Sequence, residues 1–257
     1  MATELYNDGR HACYAFSSLV TGEHGIQANQ FLILDGDDAA LVDPGGDLTY
    51  TPLSLDVGRR IRLKELDYVL ASHQDPDIIA SLDRWLMYTD CRVVCSRLWS
   101  RFLPHLVPGY QSAKLAERII GLPDEGGSIT LGASTIKVLP AHFLHSVGNF
   151  QFYDPTARIL FSGDMGASLV DGDAGEPVTD FDAHIPSMRG FHRRYMVANR
   201  ACRLWAAMVR GLDIDYLIPQ HGRPFYGREM INRFLDWIEA LPCGVDLLDE
   251  SSYRVPT

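Results

Sequence analysis

The chain has no apolar run approaching the roughly 20 residues that a bilayer-spanning helix needs. Its opening residues, MATELYNDGR, lack the basic-then-apolar order of a signal peptide. Those two absences leave no membrane partner to expect and make a cytoplasmic location the default. Basic charge is in short supply as well: 23 Lys and Arg stand against 33 Asp and Glu, a net charge of −10. That balance argues against nucleic acid, which needs a basic footprint. Cysteine is sparse, and the five (Cys13, Cys91, Cys95, Cys202, Cys243) are odd in number and scattered, so no disulfide framework is expected. Cys91 and Cys95 flank Val93 and Val94 in an apparent strand and read as small core residues. A glycine-rich dinucleotide fingerprint is missing too.

What is present suits a globular protein: 46% apolar and 22% charged residues in a chain of 257. That length supports a sizeable core in one large domain or two modest ones, and with no linker-like stretch the chain reads as a single domain, 1–257. His11 to Val20 and Ala28 to Leu34 read as strands, with a turn at Asp35 to Asp38 returning into Ala39 to Asp43. Asp43-Pro-Gly-Gly46 is either a loop bordering a site, where glycines allow close backbone approach, or a plain turn. Helical spacing is read over Ile78 to Tyr88, through Leu98, Phe102 and Leu106, over Tyr195 to Arg210 and over Met230 to Leu241. In the third of these, Met196, Ala201, Leu204, Trp205 and Met208 are expected to face the core. Further hairpins fall at Ile129 to Leu139 and at Gly148 to Ser162. Two halves, each running from strands into helices, fit an α/β fold: an αββα sandwich of two mixed sheets flanked by helices.

The chemistry gathers where strands end. Leu66 to Leu70 is an apolar run that breaks into His73, Asp75 and Asp77. Asp77 is placed to cap the helix that follows. By itself this cluster reads equally as a cap with solvated loop acids, or as imidazole and carboxylate ligands for zinc, iron or manganese. Three later strands finish the same way, in His145, Asp164 and His221. Four strand ends each closing on a His or an acid point to a metal. His24, in the glycine-flanked Gly22 to Gly25 loop, either overlooks a pocket or is exposed, and His142 is a further candidate.

The order His73-x-Asp75-x-Asp77, Leu144-His145-Ser146, Leu160 to Asp164 and Pro219-Gln-His221-Gly222 resembles the metallo-β-lactamase fold. Within it, the di-iron branch is the match: the flavodiiron proteins and the related stand-alone oxygen-binding di-iron proteins. In that branch the first motif reads His-x-Glu-x-Asp-His, against His-x-His-x-Asp-His in the zinc hydrolases, so an acid at Asp75 favours iron. The resemblance implies one metal held by His73, Asp75, His145 and a bridging Asp164, and another by Asp77, Asp164 and His221. Two departures stand out: Asp75 replaces the family's Glu, and Ile78 stands where the family has a second His. The pocket then holds one metal or two, with His24 or His142 as substitute ligands. Flavodiiron enzymes continue into a flavin domain, and no flavodoxin domain is read in this chain.

The resemblance therefore implies a non-haem di-iron protein that binds or reduces dioxygen, with nitric oxide as a second gas. Reduction would need a separate electron-donor protein; otherwise the protein is an oxygen sensor or carrier. A homodimer is a further expectation. The alternative is a zinc hydrolase of the same fold, in which metal-bound water ionises near a pKa of about 7, and a third reading is a binding module without turnover.

Overall fold

Alternation within the strands decides the layering. In β3 (Gln30–Asp35) Phe31 and Ile33 face one way and Leu32 the other, and all three are buried; such a strand must have both faces covered. The computed structural model, which describes residues 2–20, 25–108, 115–170, 172 and 174–256, shows how. β1 (Thr3–Asn7), β2 (His11–Phe16), β3 and β4 (Asp38–Val42) form an antiparallel meander. To it β5 (Leu66–Leu70), β6 (Arg92–Ser96) and β7 (Ile119–Leu122) add in parallel, so the seven strands lie in sequence order.

The second sheet runs antiparallel through β8 (Gly127–Leu131), β9 (Ser134–Pro140), β10 (Phe150–Asp154) and β11 (Ile159–Phe161). It continues with β12 (Tyr216–Ile218) parallel to β11 and ends at β13 (Phe225–Tyr226). Phe31, Ile33, Leu70 and Val94 of the first sheet meet Phe150, Phe152 and Phe161 of the second in one apolar layer, with the Phe31 and Phe161 rings 4.7 Å apart. Leu32, Val69 and Val93 turn outward onto α1 (Asp47–Val57) and α3 (Leu82–Tyr88) through Leu53, Val57 and Trp85. On the other side Leu160 and Leu217 pack under α5 (Phe181–Tyr195), α6 (Asn199–Val209) and α7 (Arg228–Ala240). The αββα sandwich expected from the sequence is thus formed. Among the described residues, no helix is long and apolar enough to cross a membrane.

Several element boundaries differ from expectation. β1 was not anticipated, and β2 stops at Phe16 rather than Val20. The helix read from Ile78 to Tyr88 is broken into α2 (Pro76–Ile79) and α3. Ser81 sits in the break because its N–H donates to the Gly45 carbonyl (3.1 Å) and its hydroxyl to that of Pro44 (2.9 Å). Asp75, not Asp77, is the N-cap residue of α2, followed by Pro76 at the first helical position, where a missing N–H costs nothing. Leu98, Phe102 and Leu106 are exposed on α4 (Arg97–Ser100) and a short 3-10 turn. Tyr195 ends α5 instead of beginning a long helix, and extended Met196 to Ala198 leads into α6. Cys202, Trp205, Ala206 and Val209 form the buried stripe of α6, which puts Leu204 on the opposite face, 66% exposed.

Candidate metal centre

Every strand that carries a candidate ligand delivers it to one end of the sandwich. β5 leads to His73; Phe150, the first residue of β10, bonds back to the Ser72 carbonyl (3.0 Å), which brings the His145 loop over the same spot. β11 leads to Asp164 and its parallel neighbour β12 to His221. Parallel strands with ligands at their carboxyl ends must gather those ligands along one edge.

Asp164 is at the middle of the cluster. Its Oδ2 lies 2.8 Å from His145 Nε2 and 3.2 Å from His73 Nε2, while its Oδ1 lies 3.4 Å from His221 Nε2. Asp75 Oδ2 is 3.2 Å from His145 Nε2 and 3.8 Å from His73 Nε2, and Asp77 Oδ2 is 3.5 Å from His221 Nε2. The six residues therefore fall into two groups, His73, Asp75 and His145 on one carboxylate oxygen of Asp164 and Asp77 with His221 on the other. His73 and Asp164 are buried, and the Asp75 and Asp77 side chains, 33% and 36% exposed, open the cluster to solvent on their side.

Neighbours fix which ring nitrogen His73 and His221 present. Ser72 Oγ lies 2.9 Å from His73 Nδ1, and His221 Nδ1 donates to the Gln27 carbonyl at 2.7 Å, so both present Nε2 to Asp164. Gln27 also accepts from the Gly222 N–H through Oε1 (2.9 Å), and Asn29 donates to the Pro219 and Gly222 carbonyls (2.8 and 3.0 Å). Asp43 accepts from the Ser72 N–H at 2.8 Å and from Gln220 Nε2 at 2.5 Å. The glycine-rich loop after Asp43 is thus a site border. A Cβ on Gly46 would come 2.9 Å from the Pro76 carbonyl oxygen, so only glycine lets the two loops approach so closely.

Charge is tightly coupled here. Burial pulls the imidazoles toward neutrality, but Asp164 and Asp75 overcome it and push His145 up to about 10; Asp164 does the same for His221, to about 9. Burial alone would raise Asp164, yet His73, His145 and His221 hold it well below the carboxylate range. Asp43, with burial dominant, is raised to about 6. Protons on the imidazoles stand where cations would serve equally well. The donor set fits a pair of divalent metals: His73 Nε2 and Asp164 Oδ1 are buried with no hydrogen-bond partner, and His73, Asp75 and His145 form a three-ligand group. Nitrogen and carboxylate oxygen without sulfur suits iron or manganese, and zinc also accepts it.

Of the expected substitutes, His142 turns away, its Nε2 2.6 Å from the Asp124 carbonyl oxygen, and His24 lies outside the described residues. Ile78 is fully buried and offers no donor. Sequence reading missed Gln27, Asn29, Ser72 and Gln220, which carry no signal until the fold juxtaposes them. It also missed Phe191 and Tyr195 of α5, stacked at 4.7 Å and set edge-on to His145 (6.1 and 5.4 Å between ring centroids).

Sandwich and cluster together define a metallo-β-lactamase fold of the di-iron branch. Residues 26–222 match the family model described as "ODP family beta lactamase", and the chain belongs to that family. A solved structure described as "Peroxy diiron species of chemotaxis sensor ODP" is 36% identical, covers 96% of this chain and 97% of its own, and superposes with a TM-score of 0.84. A flavo di-iron protein mutant from Thermotoga maritima, 16% identical over 93% of this chain and 61% of its own, shares the fold with a TM-score of 0.73. An uncharacterized protein of Methanocaldococcus jannaschii is 25% identical over 83% of this chain, which spans only 53% of that relative's length.

Proposed function

We propose that this chain is a non-haem di-iron protein that binds dioxygen, with sensing or carriage ahead of rapid reduction. The observation that carries the reading is the division of labour at Asp164, whose Oδ2 faces His73 and His145 and whose Oδ1 faces His221. One iron would be held by His73, Asp75, His145 and Asp164 Oδ2, the other by Asp77, His221 and Asp164 Oδ1. A ferrous pair bound there would supply two electrons and open coordination positions to a diatomic gas. The protein's part is to hold the donors ready. Ser72 and the Gln27 carbonyl keep Nε2 of His73 and His221 directed inward, and Asp43 anchors Ser72 and Gln220 behind them. Ile78 deprives the second set of an imidazole, leaving a less saturated iron with room for a ligand. The half-exposed edge at Asp75 and Asp77 is the route by which gas reaches it.

The likeness to a structure described as a chemotaxis sensor supports the sensing reading. The same proposal includes one metallo-β-lactamase-like domain, a cytoplasmic location, nitric oxide as a second gas, a separate electron-donor protein and a homodimer.

The test is iron and zinc quantification on anaerobically purified protein with its optical spectrum. About two irons per chain and a near-ultraviolet band that appears when oxygen is admitted are expected. Asp164→Ala should lose both metals, because each oxygen of that carboxylate serves one set. Zinc in place of iron with ester or lactam cleavage, or full metal content in Asp164→Ala, would overturn the reading.

A further inference from the structure

A second set of ligand-type groups converges at the other end of the sandwich. β10 runs from Phe150, beside the Ser72 carbonyl, to Asp154, so its far end lies a strand's length, roughly 15 Å, from the di-iron cluster. There β2 presents His11 and Cys13, two residues apart and on the same face. His11 Nε2 lies 2.6 Å from Asp154 Oδ2, Cys13 Sγ lies 3.3 Å from the same oxygen, and Sγ and Nε2 are 3.8 Å apart. All three side chains are buried, Cys13 and Asp154 completely.

A buried His–Asp ion pair would account for two of these groups but not for the thiol brought onto the same carboxylate oxygen. It would not account for the surrounding contacts either. Asp154 Oδ1 is occupied by the N–H groups of Thr156 (3.0 Å) and Ala157 (3.2 Å), which aim Oδ2 inward. On the far side of the imidazole, Ser134 Oγ lies 3.2 Å from His11 Nδ1. Asp35 Oδ2 is 4.0 Å from Nδ1, buried and without a hydrogen-bond partner. A hydroxyl and a carboxylate facing one ring nitrogen are how metal-binding histidines are held with the other nitrogen free to ligate.

We propose that His11 Nε2, Cys13 Sγ and Asp154 Oδ2 form a second, sulfur-containing metal site for a divalent cation of the zinc class. Thiolate with imidazole selects zinc over the hard cations magnesium and calcium. Binding replaces the thiol proton, which leaves to solvent, and the ion ties β2 of the first sheet to β10 of the second. One coordination position remains for water, since the second Asp154 oxygen is held by the Thr156 and Ala157 N–H groups. The site is independent of the di-iron reading, since it shares no residue with it.

Cobalt(II) is the probe, because a cobalt–thiolate bond gives an intense near-ultraviolet band that nitrogen and oxygen ligands alone do not. Metal-free protein carrying Asp164→Ala and His145→Ala, with the first centre disabled, is titrated with cobalt(II) and then zinc(II). The expected result is a thiolate band saturating at about one cobalt per chain, bleached by zinc, absent in a further Cys13→Ser variant and weakened at least tenfold in Asp154→Asn. If the doubly substituted background fails to fold, the same band is read as the difference between the otherwise unaltered chain and its Cys13→Ala variant. No thiolate band, or a band that survives Cys13→Ser, would overturn the proposal and leave a hydrogen-bonded clamp. Failure of the otherwise unaltered protein to bind iron, with this band retained, would sink the di-iron reading alone.

Discussion

His192 has no room for a second proton. It is fully buried on α5, its Nδ1–H donates to the Met188 carbonyl at 2.9 Å and its Nε2 accepts the Gly166 N–H at 3.0 Å. Burial lowers its pKa to about 4. Its folded value lies below the unfolded value of about 6.5, so its contribution is complete above that pH and is lost as pH falls toward 4, to a total of about 3 kcal/mol. The site imidazoles of metal-free protein carry the opposite sign. His221 and His145, raised to about 9 and about 10, stabilise below 6.5 and lose that contribution as pH rises through those values. We expect the urea midpoint of metal-free protein to fall between pH 7 and 5 by less in His192→Gln, which keeps an acceptor but cannot charge; parallel slopes in the two proteins would exclude His192 as a source. At this scale the sequence was informative about ligands and silent about their supports. A His or Asp ending an apolar run announces itself, whereas Gln27 and Gln220 matter only through partners nearly two hundred residues away in the chain.

The elements that serve the site are loops held at strand ends, and Gly222 shows how little slack they have. It sits at φ +79°, and a Cβ there would come 1.9 Å from Ser168 Oγ and 2.4 Å from the Ser168 carbonyl oxygen. Gly222→Ala must strain the backbone and push the His221 loop off Ser168. A loss of about 2 kcal/mol in chemical unfolding is expected from the backbone conformation alone. Metal content should fall toward the share held by His73, Asp75 and His145; unchanged stability and unchanged metal would show that the loop yields freely. Central strands such as β3, β4 and β10 were legible because both their faces are buried and their runs are short and largely apolar, whereas β1, mostly exposed, was not. Helix limits were less so, because hydrophobic period does not register a break made by distant groups. The Pro44 and Gly45 carbonyls split α2 from α3 by capturing Ser81. Likewise Met196, apolar and buried, extends the helical pattern on paper through a stretch that is extended in the fold.

At the scale of the whole molecule, the question is where electrons come from. Taking dioxygen to water requires four, and a ferrous pair would bring two, so a chain with only that pair can take up the gas but cannot cycle without a donor. Nothing in the cluster offers a second reservoir: its six members are imidazoles and carboxylates, and the cysteines that could exchange electrons are buried. Phe191 and Tyr195 stack on each other and stand edge-on to His145, with Tyr195 half exposed, an aromatic face close to one ligand where the proposed donor protein would dock. With iron loaded and reduced, the protein should consume on the order of one dioxygen per chain in a single phase and then stop, since the proposed site holds one iron pair. Adding NADH alone should leave the trace flat, and a rubredoxin-like protein or flavoprotein with its own reductant should restart it. Replacing Ile78 with an apolar neighbour such as Leu should leave that pattern intact, because the position contributes no donor. An oxygen electrode decides the matter: steady consumption with NADH and no second protein would mean that the chain carries an electron path the cluster does not reveal, and that reduction rather than sensing is its work.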